Sequence, residues 1–432
     1  MNAFLRNRLS SAASVAIAVI PCVVAAQPRA EPRIGLLIEK ARAAVDSGRL
    51  AEAESTLQQA LTVAPRERDA QFELALVYVL TGRVAQARLL YEQAGGPAAA
   101  DLTASLRAGT AFIRANQLPD AEVYVSRAVS IAPTSVEANL LLGQVYSATG
   151  RSDHAIDRFQ QVVRLDPQLP HGHYQLGIAY TLAGQQHEGI GELEKAVALA
   201  PDNPGFGFYL GVAYLQARQD EQAAAELARV ITLAPRDAEA HVNLAWALIN
   251  LGKPSEAATS LRAVIDAQPA HAVAWFLLAE SMRRRGDESS AIAAYERAVE
   301  LEPLMIDAIF SLGALHYQRH DLAKAGEWLR RLLARDPAHV GAHYTLGKIA
   351  LQLGQIDVAV THLERCVRTD PRNKGAHYQL ARAYRLKGEA SKADAELAAF
   401  RALGAAHTDD AAPGHDRLER IGPPRAKPSP RR

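Results

Sequence analysis

Pro65, Pro133, Pro167, Pro201, Pro235, Pro269, Pro303, Pro337 and Pro371 are spaced by 34 residues, with one gap of 68 in which Ala99 holds the missing place. A period of this length requires a repeated supersecondary unit, since one copy cannot bury its apolar face alone and must stack on its neighbours. Counting from the prolines divides residues 34–407 into eleven units. They are 34–67, 68–101 (degenerate), 102–135, 136–169, 170–203, 204–237, 238–271, 272–305, 306–339, 340–373 and 374–407. Length alone, 432 residues, would imply about three globular domains, whereas the period implies one elongated array. Composition agrees: the chain is 49% hydrophobic but only 6% aromatic, and Ala, Leu and Arg are its commonest residues, which favours helix.

Within each unit the same features recur in order. The eighth position is always Gly or Ala, as in Ala41, Gly109, Gly177, Gly211, Gly313 and Ala381, and the twentieth is Ala in ten of eleven units, Gly189 being the exception. Leu precedes the eighth position in nine units, and Tyr78, Tyr146, Tyr180, Tyr214 and Tyr384 follow it by three. Two amphipathic helices joined by a glycine turn explain this, with Gly48, Gly82, Gly150, Gly184, Gly252, Gly286, Gly354 and Gly388 at the turn, where positive φ is needed. Pro119 and Pro254 then fall in the first turn of the second helix. The small residues at the eighth and twentieth positions face each other, and Leu57, Phe159, Leu261, Tyr295, Leu329 and Leu397 fill the space beside them. The pattern resembles the tetratricopeptide repeat over 374 of 432 residues. The resemblance implies an all-α fold, a right-handed superhelical solenoid of tandem helix-turn-helix repeats with a concave groove. Departures are few: Lys40, Ala44, Met282 and His316 stand where the family has Leu or Tyr, and Gly95-Gly96-Pro97 is expected to end a helix early and leave a longer loop and a bend.

The ends read differently. Arg6 and Arg8, the apolar stretch from Ala12 to Val24, and Val24-Ala25-Ala26 describe a signal peptide over 1–26, too short and too broken by Pro21 to span a membrane. Residues 27–33 form a short linker, and 408–432 a basic, proline-rich, disordered tail. The expected product is periplasmic or secreted, with no transmembrane span after cleavage. Lys and Arg number 48 against 47 acidic residues, so bulk charge does not draw nucleic acid. Of the two cysteines, Cys22 lies in the signal and Cys366 at a packing position, so no disulfide or cysteine-metal framework is expected.

Chemistry-bearing motifs are weak. Gly205-Phe206-Gly207 with Gly211 opens a helix with no strand before it, and His187-Glu188 lacks the second His of a zinc-protease motif. His316 with His320, and His339 with His343, have helical spacing but no evident third ligand. His173, His241, His343 and His377 all occupy the fourth position of their units, so a repeated structural preference accounts for them. Neither a cofactor nor a metal is expected, and no cluster supplies nucleophile, base and oxyanion site together. The chain is read as not an enzyme.

The groove is the informative surface. Where the family resemblance places the concave side, the fifth position is apolar or aromatic in all eleven units: Ile38, Phe72, Leu106, Leu140, Tyr174, Phe208, Val242, Phe276, Phe310, Tyr344 and Tyr378. Neighbouring positions are apolar early, as at Leu76, Val79, Ile178, Val212, Leu215 and Trp246, and basic late, as at Arg283, Arg284, Lys348, Arg382 and Arg385. This describes a groove for an apolar segment followed by acidic groups. The Lys and Asn pairing by which heat-shock co-chaperones of the family hold a C-terminal carboxylate is absent, as is the asparagine ladder of its glycosyltransferases, Asn243 being alone in its row. The expected function is a non-enzymatic scaffold of the cell envelope for a protein or peptide partner. The alternative is an accessory subunit binding glycan chains in polysaccharide export or glycosylation.

Overall fold

The computed structural model describes residues 31–405, so the expected signal, residues 27–30 of the linker and the tail lie outside the described residues. Among the described residues there are twenty-three α-helices and no strand. They divide into two compact bodies, the first ending in sequence at Val145 and the second beginning at Tyr146. The first body holds α1 (Glu31–Asp46), α2 (Leu50–Val63), α3 (Arg68–Leu80), α4 (Val84–Gln93), α5 (Gly96–Ala99), α6 (Leu102–Arg114), α7 (Leu118–Ile131) and most of α8 (Val136–Ala148). The second begins with α9 (Ser152–Leu165), α10 (Pro170–Leu182), α11 (Gln186–Leu199), α12 (Pro204–Gln216), α13 (Asp220–Leu233), α14 (Ala238–Asn250) and α15 (Pro254–Ala267). It continues through α16 (Ala272–Arg284), α17 (Glu288–Leu301), α18 (Ile306–Gln318), α19 (Leu322–Leu333), α20 (Val340–Gln352), α21 (Ile356–Thr369), α22 (Lys374–Lys387) and α23 (Ala390–Ala405).

The turn within each unit has one geometry. All eleven residues at its apex have positive φ: the eight expected glycines, and Asn116, Arg218 and His320 at φ 56–61°. The next N–H reaches back to a carbonyl five residues earlier, as from Arg83 to Tyr78 at 2.7 Å and from Gln117 to Phe112 at 2.8 Å, which caps the first helix. His320 thus stands where eight other units have a turn glycine.

Close approach of the paired helices is enforced sterically. A Cβ on Gly211, Gly313 or Gly347 would stand 2.6–2.7 Å from Leu227, Leu329 or Leu363 of the second helix, and one on Gly177 would stand 2.9 Å from the carbonyl oxygen of Gly189. The leucine interlocks with the small residue directly. Each such leucine is fully buried, and burying one stabilises by about 1.5–3 kcal/mol. The alanines of the twentieth position are likewise fully buried, Ala257 and Ala291 among them.

Between units the periodic proline has a polar role that the sequence did not disclose. Its carbonyl, left without a helical partner, accepts a hydrogen bond from the fourth residue of the next unit. Donors are Gln71 to Pro65 (3.0 Å), Asn139 to Pro133 (2.9 Å), His173 to Pro167 (3.0 Å), His241 to Pro235 (3.1 Å), Trp275 to Pro269 (2.9 Å), His343 to Pro337 (3.0 Å) and His377 to Pro371 (3.0 Å). Where the fourth residue has no donor, at Gly207 and Ile309, Arg229 serves Pro201 and Arg335 serves Pro303. The prolines are exposed, whereas His173, His343 and His377 are buried, so the proline carbonyl gives a buried ring N–H its partner, which explains the recurring histidines.

One expectation needs correction. After Gly95-Gly96 the chain does not run as a plain long loop. Gly95 and Gly96 take φ 102° and 64°, and Pro97 then seeds the short helix α5, whose region is tied down by Arg127 donating to the carbonyl of Ala98 at 3.1 Å. Proline at the first turn of a helix loses nothing by lacking an N–H.

Candidate partner-binding surface

The first helix of each unit carries every residue predicted for the groove, and the structure separates those residues by exposure. Phe72, Phe208, Trp246 and Phe276 are only 4–8% exposed and belong to the core. Phe72 packs against Tyr91 with ring centroids 5.6 Å apart, and Phe276 against Tyr295 at 5.9 Å. Their rings hold helices together and present little surface to a partner. Tyr174, Phe310 and Tyr344 are half-buried, and Tyr378 is 48% exposed.

The cations separate in the same way. Glu280, with no exposed surface, is held by Arg283 at 2.7 Å and by the hydroxyl of Tyr295. Arg284 donates to the carbonyl of Ile249 at 2.8 Å. Both arginines therefore satisfy buried acceptors inside the second body. Lys348 instead lies across two rings, 4.8 Å from the centre of Tyr317 and 5.3 Å from that of Tyr344. Arg382 and Arg385 are exposed, Arg385 lying 3.7 Å from an equally exposed Asp394. Helices α20 and α22 contain Lys348, Lys374, Arg382, Arg385 and Lys387 and no acidic residue. The end of the second body thus carries a stripe of aromatic rings and cations.

In the first body the corresponding face is built differently. A cavity of about 230 Å³ is floored by Leu76, Leu80 and Leu106, with Arg107, Arg114 and Glu137 among the residues around it. Arg107 reaches Asp46 at 3.0 Å and Glu73 at 3.2 Å, and Glu73, 4% exposed, also pairs with Arg42 at 2.7 Å. One buried carboxylate is therefore shared by arginines of the units on either side. Sequence reasoning missed this arrangement, because like and unlike charges 31 and 34 residues apart carry no local signal.

Tyrosines eleven residues into a unit join neighbouring units. Tyr214 donates to Glu194 and Tyr384 to Glu364, both at 2.6 Å, and Gln160 donates to Tyr180 at 2.8 Å. Cys366 is buried and free, and burial pushes its thiol up to about 12, far from a reactive thiolate. Among the described residues no three metal-ligating side chains stand together, and no helix is long and apolar enough to cross a membrane.

Comparison with known proteins bears on the whole array. Tetratricopeptide repeat profiles match residues 38–101, 174–238, 242–304 and 344–411, together more than half of the chain, and another such profile matches 112–179. The chain belongs to the tetratricopeptide repeat family. A profile for subunit 3 of the anaphase-promoting complex, or cyclosome, also matches residues 284–366 of this tetratricopeptide array. Among solved structures it is similar to YrrB, a tetratricopeptide protein with an unusual peptide-binding site, at 20% identity over 43% of this chain and 96% of that one, TM-score 0.40. It is also similar to MamA from Desulfovibrio magneticus RS-1 (20% identity, 39% and 96% covered, TM-score 0.38). The Cut9–Hcn1 hetero-tetramer of the anaphase-promoting complex matches at 15% identity over 87% and 88%, TM-score 0.40. No curated protein matches the sequence. Tetratricopeptide arrays are a fold of protein-interaction proteins, which supports a protein-binding role for this chain.

Proposed function

We propose that this tetratricopeptide array is a non-enzymatic scaffold of the cell envelope, exported with residues 1–26 removed, that holds a partner segment along its first helices. The observation that carries the reading is the pair of helices α20 and α22, which contain no acidic residue of their own, where Lys348 rests on Tyr317 and Tyr344 and where Arg382 and Arg385 are exposed. Rings desolvate an apolar side chain and cations receive carboxylates, the combination that concentrates binding energy at interfaces. The partner is a protein segment with apolar residues followed by acidic ones. In the second body Tyr174, Phe310, Tyr344 and Tyr378 offer ring surface, while Phe208, Trp246 and Phe276, with Arg283 and Arg284, are committed to its interior; Phe72 is core in the first body.

Capture of a stoichiometric protein from envelope extract tests the reading. Lys348→Ala with Arg382→Ala and Arg385→Ala is expected to lower capture, most at low salt, with helicity unchanged. Equal capture by the folded triple variant would place binding elsewhere. A second reading, binding of glycan chains, draws on the exposed ring of Tyr378. Glycan-array binding that Tyr378→Ala abolishes, with no protein captured, would favour it.

A further inference from the structure

Glycine stands at the second position of a unit four times, at Gly35, Gly205, Gly341 and Gly375. The last three each follow a unit whose fifth residue is Tyr174, Phe310 or Tyr344, the fifth-position aromatics that remain half-buried. Two of these junctions show why. A Cβ on Gly341 would stand 2.6 Å from Cζ of Phe310, and one on Gly375 2.9 Å from the hydroxyl of Tyr344. The missing side chain makes room for the ring of the preceding unit. At Gly205 an added Cβ meets only Asn203, and Tyr174 is covered instead by Phe206, 5.0 Å away between centroids. Units with larger second residues, such as Asp69, Glu239 and Asp307, follow units whose fifth residues are Ile38, Phe208 and Phe276.

The two ends of the array keep the two halves of this junction. Gly35 opens the first unit, no atom of the described residues lies within 4 Å of its absent Cβ, and the adjacent Leu36 is 72% exposed. Tyr378 precedes no described unit. Its ring, 48% exposed, leans on Phe400 at 5.5 Å, and Lys374 lies 5.0 Å from Phe400. We propose that these end faces are complementary, and that a second copy of this chain docks its α1 onto α22 and α23, continuing between molecules the junction that the chain builds within itself. The occupant is a copy of the chain because α1 carries the same second-position glycine that admits Phe310 and Tyr344. Such a head-to-tail contact is heterologous and leaves one face of each kind free, so it grows into open chains or closes into a ring.

Sedimentation velocity on the purified full chain, over a hundredfold range of concentration, tests this. Species heavier than the monomer are expected to increase with concentration. Gly35→Leu meets none of the described residues of its own chain and replaces a poor helix former, so helicity and melting are expected to be kept. Across the contact it collides with Tyr378, and association is expected to weaken at least tenfold. Tyr378→Ala removes the opposite half. Mixing the two variants should give dimers and nothing longer, since each retains the face the other has lost. A chain that stays monomeric at every concentration, or association indifferent to Gly35→Leu, overturns the proposal. Association that appears only after residues 406–432 are removed assigns the end face to that tail and also overturns it.

Discussion

Phe276 and Tyr378 hold the same place in their units, yet one is 4% exposed and the other 48%. Phe276 lies against Tyr295 in the middle of the second body, with another unit following, whereas Tyr378 stands in the last described unit. The repeat fixes what a side chain points toward. The next unit decides whether anything is there. A position that reads as one row in the sequence is therefore core in one place and surface in another, and only the surface members can serve a partner.

Truncating each ring should separate the two positions most widely. Phe276→Ala is expected to cost about 3–5 kcal/mol, the range for a buried aromatic, read as a lower urea midpoint. Next in size, Ala257→Leu or Ala291→Leu is expected to cost about 1–3 kcal/mol by forcing the paired helices apart. Unchanged melting of both would mean that the twentieth position does not lie at the helix contact. Because units touch mainly their neighbours, these losses should appear first as local unfolding in the second body, visible by hydrogen exchange.

A smaller effect is expected on acidification. Burial lowers the pKa of His171, His316 and His362, and for His362 the charges of His343 and Arg330 lower it further. The unfolded chain then takes up these protons first, so their contribution is present above the unfolded value of about 6.5 and is lost as pH falls below it. His362 lies 2.9 Å from His343 between Nδ1 atoms, with Nε2 of His343 committed to Pro337. His362→Gln, which can still donate to His343, is expected to flatten the fall in melting temperature between pH 7 and pH 5. A parallel profile for parent and variant would show that His362 does not contribute to it. The smallest change in stability is expected from Tyr378→Ala, at most about 0.5 kcal/mol in the isolated chain. A loss comparable to that of Phe276→Ala would show that the ring is covered.

Much of the fold was legible because its constraints are local and repeated. The small eighth and twentieth residues, the turn glycines and the helical pairing follow from one period. Even His320 could be placed, since it falls where glycine stands in eight other units. What could not be read depends on neighbours far along the chain. The helix α5 arises where a proline follows two glycines of positive φ. The burial of Glu280 needs Tyr295, fifteen residues on, and that of Glu73 needs arginines from two other units. The candidate site was legible in position but not in exposure. Arg283 and Arg382 look alike in sequence, yet one is bound to a buried carboxylate and the other is exposed.

The bond from each fourth residue to the preceding proline carbonyl makes length an adjustable property. Gln, Asn, His and Trp all serve as donors over the same interval of six residues, so the junction asks for an N–H at one place and is indifferent to the side chain bearing it. Excising residues 238–271 would bring Trp275 to the same interval from Pro235 that it now keeps from Pro269. No carbonyl would be orphaned by the loss. A gene that duplicates or drops 34 codons in this phase changes the length of the array in whole steps while keeping this bond at a seam built from such a donor and a proline.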